Sequence, residues 1–138
     1  MAEPIGIAAG VLALSTFAFE RSVSLFQLIK SLKDNKREVR ELKEELEALS
    51  KVILSLKQLA SQDETRFETL SLPLLRCGKS CDEFEALVTE CTKHTTGTKT
   101  SVRDWVKMQY MGRDITGFKN ALAEYKSTIS IAIGEANL

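Results

Sequence analysis

Between about Asp34 and Ala60, Val39, Leu42, Leu46, Leu49, Ile53, Leu56 and Ala60 follow one another at alternating spacings of three and four. Over this length only a helix lying against other helices keeps such a seam on one side, because a strand would turn every second residue to the opposite face. The remaining faces are charged, with six basic and six acidic residues from Lys33 to Lys51. Arg40/Glu44 and Glu47/Lys51 stand four apart and support a helix by roughly 0.3 kcal/mol each. A chain carrying this segment must supply further helices to cover the seam.

Three other segments have the same period. Glu3 to Lys30 reads as a long helix opened by Glu3-Pro4, with proline where a first turn tolerates it. Ile5, Leu12, Phe19 and Phe26 recur every seven residues, and a second stripe of Ile7, Val11, Leu14, Ala18, Leu25, Leu28 and Leu32 runs beside it. A third helix is expected to start between Thr65 and Pro73 after a connector at Ser61–Glu64 and to end near Lys93. Its stripe is Leu74, Cys77, Cys81, Phe84, Val88 and Cys91. The polar run from Thr92 to Ser101 is a loop, followed by a short helix near Val102–Met111 with Trp105 and Met108 three apart. The last helix, Asp114 to Ile133, sets Ile115, Phe118, Leu122, Tyr125, Ile129 and Ala132 on one face. The expected fold is all-α, an antiparallel bundle of four to five helices formed by residues 1–138 as one domain.

Composition agrees and narrows the function. Two prolines and seven glycines in 138 residues are too few for the turns of an all-β sandwich. A chain this long buries about two-thirds of its unfolded surface, enough for a core without disulfides. Nineteen basic residues balance nineteen acidic ones, which disfavours a polyanion such as nucleic acid as partner. Cys77, Cys81, Cys91 and His94 are spaced x3, x9 and x2, unlike the paired couples of a structural zinc site. Because the three cysteines follow the apolar stripe, buried free thiols are the expectation, with no metal site. The single histidine stands in a polar loop, no general base neighbours a nucleophile, and GIAAG lacks the lysine and preceding strand of a phosphate loop. Catalytic residues and a cofactor are therefore not expected.

The unusual part is the start. Pro4 to Phe19 is a run of sixteen residues without a charge. It lacks the basic leader and cleavage site of a signal peptide, and it is shorter than the roughly 20 residues of an ordinary transmembrane helix. Gly6, Gly10 and Ala13 within it form small-residue spacing of the kind that lets helices approach closely, in a membrane or a soluble bundle. Lys93, Lys99, Arg103 and Lys107, with only Asp104 opposing them, could rest on anionic lipid headgroups, each worth about 1 kcal/mol near a charged surface, or could simply be solvated.

The opening MAEPIGIAAGVLALSTFAFERSVSLFQLIKSLKD, with Glu3, Pro4 and Ile5 at its entry and a Gly/Ala-rich stretch from Gly6 to Leu14, resembles the fungal N-terminal domain found on STAND proteins, the fungal counterparts of NOD-like receptors. Trp105 and the Leu122–Ile129 stretch, with Lys126-Ser127-Thr128, are similar to that family's last part. The family belongs to the HeLo-like group of helical cell-death modules. The resemblance implies a cytoplasmic effector domain of an innate-immunity or programmed-cell-death protein that relocates to the plasma membrane, oligomerises and inserts its N-terminal helix. It makes Ile5, Ile7, Val11, Leu12, Leu14, Phe17 and Phe19 the inserting side chains. Partners would be membrane lipids, further copies of the chain and other STAND-type domains. No nucleotide-binding domain and no amyloid-type motif follows in this sequence, so an excised domain or a solo version is expected. The alternative is a protein-binding or oligomerisation module without membrane activity, working through the second helix.

Overall fold

The computed structural model describes residues 10–32, 37–91 and 112–136, with only the backbone described at residues 91 and 112–114. The expected all-α bundle is what forms, with no strand among the described residues. Helix α1 spans Val11–Ser31, α2 Arg37–Ala60, a 3-10 segment Glu64–Leu70, α3 Ser71–Cys91 and α4 Gly112–Ala136. The expected start of the first helix at Glu3-Pro4 and the short helix near Val102–Met111 lie outside the described residues.

The α2 seam does what its spacing demands. All seven of its residues, Val39 to Ala60, are buried. Fully burying each of the large ones contributes about 1.5–3 kcal/mol, against a few tenths for a surface ion pair. Apolar packing of this seam, not the charges around it, holds α2 in place. Of the second stripe, Val11, Leu14, Ala18 and Leu25 on α1 and Leu32 at its C-cap enter the core, joined there by Ile29 from outside that stripe. Leu28 of the stripe and Leu12, Phe19 and Phe26 of the seven-residue repeat are half-buried on the flank. Leu74, Cys77, Cys81, Phe84 and Val88 supply the α3 face, and Ile115, Phe118, Leu122 and Ile129 that of α4. Phe84 and Phe118 stack at 4.2 Å where α3 meets α4.

Cross-helix contacts give the directions. Arg21 meets Asp82 and Ser24 meets Glu85, so α1 and α3 run parallel. Glu41 meets Lys119 and Glu45 meets Lys126, so α2 and α4 are parallel too. Ser80 meets Tyr125 and Phe84 meets Phe118, the reversed order of an antiparallel pair. Successive helices thus run antiparallel, and α1 packs chiefly on α2 and α3, with α4 on the opposite corner. The α2–α3 link must therefore cross the end of the bundle. It does so through a turn at Ser61–Asp63 and the 3-10 segment, whose Phe67 and Leu70 are buried as a plug. Phe67 leaves helical geometry at φ −115°, ψ 18°, which redirects the chain into α3. Pro73 falls in the first turn of α3, where its missing N–H breaks no helical bond.

Candidate functional site

Helix α1 is the element on which the functional reading turns, and its geometry follows from its residues. With 21 residues it is about 31 Å long. Five of the seven inserting candidates can be placed. Val11 and Leu14 point into the core, Leu12 and Phe19 lie half-buried on the flank, and Phe17 packs towards α3. Ile5, Ile7 and Gly6 lie outside the described residues. Ser15 and Ser22 are buried on the core side, which is affordable because each hydroxyl donates to a carbonyl of the preceding turn, Leu12 O and Phe19 O, both at 2.9 Å. No helix among the described residues is long and apolar enough to cross a membrane. In α1 the apolar run is interrupted by Glu20 and Arg21, by Gln27 and Lys30 and by the serines at 15, 22, 24 and 31.

Four contacts hold α1, one to the 3-10 segment and three to α3. At its start the helix has no side-chain cap of its own: Gly10 stands at the N-cap and no acidic residue lies in the first turn. Glu64 fills that role from 52 residues away, its carboxylate accepting from the Leu12 N–H at 2.9 Å. A Cβ at Gly10 would collide with that carboxylate. One turn on, the Phe17 ring lies over Gly78 of α3, so closely that a Cβ there would strike it. Arg21 then donates to Asp82 at 3.3 Å, and the Ser24 hydroxyl to the Glu85 carboxylate, with oxygens at 3.0 and 3.1 Å. Of the small residues singled out in the sequence, Gly10 admits a carboxylate rather than a helix, and Ala13 is exposed. The close helix approach is made by Gly78 instead. Its one legible sign is a glycine in a helix interior, which costs about 1 kcal/mol against alanine and calls for a packing reason. Glu64, Asp82 and Glu85 leave no sign in local spacing, since their partners lie more than fifty residues away.

Cys77 and Cys81 are buried free thiols, as their place on the stripe implied. Interaction with the Cys77 thiol and then burial push the Cys81 thiol far above its ordinary range, so it stays protonated and unreactive. No cluster able to hold a metal occurs among the described residues. The side chain of Cys91, His94 and the headgroup candidates Lys93, Lys99, Arg103 and Lys107 lie outside them. Cys91 and Gly112, the helix ends bracketing that basic run, stand at the end of the bundle away from the start of α1. The apolar start of the sequence and its basic run thus join the described bundle at opposite ends.

Against known families, residues 2–138 match the model described as "Pigment biosynthesis cluster protein PigL N-terminal". The chain belongs to this family. No curated protein and no solved structure matches it. The PigL N-terminal family is a helical domain family, and in this member open grooves run between the helices, two of them lined by described residues. One of about 310 Å³ lies between α3 and α4, lined by Ser80, Glu83, Phe84, Leu87 and Phe118, with the Ser80 hydroxyl engaged by that of Tyr125 at 3.3 Å. The other, of about 260 Å³, lies between α1 and α2, where Lys30 sits 6.0 Å from the Phe26 ring centre.

Proposed function

We propose that this PigL N-terminal domain is a membrane-targeting effector of the STAND-associated, HeLo-like kind, in which α1 and the residues before it leave the bundle for a lipid surface and the displaced domains self-associate. The observation that carries the reading is the division of labour on α1. Its hold on the bundle is an apolar seam supplemented by a flank of polar contacts. Burial of the seam is worth on the order of 10 kcal/mol, and each polar contact about 1 kcal/mol or less. A lipid interior replaces the first contribution in full, because hydrocarbon accepts Val11, Leu14, Leu25 and Ile29 as well as a protein core does. It does not replace the second, so the contacts with Glu64, Asp82 and Glu85 are what favour the closed form. The proposed role is non-catalytic, in keeping with a sequence in which no general base neighbours a nucleophile.

Docking of a partner through α2 has less support. Its seam is consumed inside the bundle, so a partner would meet the outer face, which is charged over the first half of the helix and carries Leu54 as its exposed large apolar side chain.

Ala13 provides the test, because it is exposed on α1 and a charge there leaves the core intact. The intact chain is expected to release dye from vesicles containing anionic lipid, and Ala13→Glu to do so at least tenfold more slowly with an unchanged circular dichroism spectrum. No release by the intact chain, or equal release by the variant, overturns the reading.

A further inference from the structure

The start of α1 and the end of α4 share a defect and a remedy. Helix α1 has neither a side-chain cap nor an acid in its first turn, and α4 has no basic residue in its last turn. Each therefore lacks the charge that would complement its dipole and satisfy its free backbone groups. Both receive it from the same three residues of the crossing segment. Glu64 accepts from the Leu12 N–H at 2.9 Å, and Arg66 donates to the Ala136 carbonyl at 2.9 Å. The signs are the favourable ones: an anion at an N-terminus and a cation at a C-terminus.

We propose that Glu64–Arg66 is a two-headed cap that couples the last turn of α4 to the first turn of α1. The two helices occupy opposite corners of the bundle, and among the described residues this segment touches both of them at this end. Its stiffness is uneven. Phe67 and Leu70 are buried, whereas Thr65 and Arg66 are exposed, and the departure from helical geometry at Phe67 separates the two halves. The outer half is positioned by its own polar contacts: Thr65 to Asp63 at 2.9 Å, Glu64 to α1 and Arg66 to α4. Loss of the Arg66 contact frees the backbone that aims Glu64. A displacement of the α4 terminus is thereby transmitted to α1 as the loss of its cap. This coupling is a property of the folded bundle and does not depend on the membrane reading.

The Leu12 amide reports the cap directly, and its hydrogen exchange can be followed by NMR in the intact chain. Glu64→Gln removes the charge and Gly10→Ala evicts the carboxylate; each should speed Leu12 exchange about fivefold, the equivalent of one lost cap. Arg66→Met touches no atom of α1, yet it should speed Leu12 exchange at least about twofold, while Arg66→Lys preserves protection and Arg76→Met on the outer face of α3 has no effect. Both Arg66 and Arg76 are exposed, so the fold survives, as thermal melting would verify. Unchanged Leu12 exchange in Arg66→Met, with faster exchange in Glu64→Gln, would show a cap without coupling and overturn the proposal. So would unchanged exchange in Glu64→Gln.

Discussion

At the scale of single residues, the side chains with the largest consequences are those whose surroundings depart most from what their type prefers. Glu41 lies on the α2–α4 seam between Lys119 and Arg37, and its carboxyl is held below the ordinary carboxylate value by the hydrogen bond from Lys119 first and that from Arg37 second. A carboxyl whose folded value is depressed contributes stability above its unfolded value and loses it as pH falls through the folded one. Stability should therefore decline on acidification below the ordinary carboxylate range. NMR titration should show Glu41 moving up towards that range in Lys119→Met. The cysteines give the opposite case. Cys77 and Cys81 are shut in the core, so native protein should react with a maleimide at these positions only as fast as the bundle opens, and chelators should leave its helicity unchanged. Rapid labelling of both thiols at neutral pH would contradict their placement.

At the scale of elements, the parts of the fold legible in the sequence are those decided by one helix at a time. Helix α2 was expected over Asp34–Ala60 and is described over Arg37–Ala60, with every residue of its seam buried. The stripes of α3 and α4 were likewise readable, because a period near 3.5 is a local property that packing preserves. Two stripes on α1 were also visible, but not which one enters the core. That choice depends on Phe17 finding Gly78 and on the serines at 15 and 22 bonding back to their own helix. The polar contacts were invisible for a related reason: Glu64 and Leu12, or Arg21 and Asp82, are brought together only by the diagonal crossing of the α2–α3 link. The energetic ranking is testable within one helix. Leu49→Ala, at a site with no exposure, should cost about 3 kcal/mol in urea unfolding. Leu54→Ala, at a site 40% exposed on the same helix, should stay within about 0.5 kcal/mol.

At the scale of the whole molecule, the arrangement of corners decides what could move without unfolding everything. Helices α2 and α4 are joined by a deep seam and by the pairs Glu41–Lys119 and Glu45–Lys126, whereas α1 stands at a corner against α2 and α3. Departure of α1 would leave the α2–α4 pair intact but would uncover α3, so the proposed membrane-active form is an opened bundle. A reversible tether between α1 and α3 distinguishes these forms. Ser24 and Glu85 face each other through their side chains, and both can be replaced by cysteine in a Cys91→Ser background, with Cys77 and Cys81 left shielded in the core. A short bifunctional methanethiosulfonate linking Ser24→Cys to Glu85→Cys should suppress vesicle leakage, and a reducing agent should restore it. The same linker between Ser80→Cys and Tyr125→Cys, joining α3 to α4, should leave leakage largely intact, because that pair need not part for α1 to leave. Full leakage from the tethered α1–α3 protein would mean that α1 acts without leaving α3, and the contacts made by Glu64, Asp82 and Glu85 would then be structural alone.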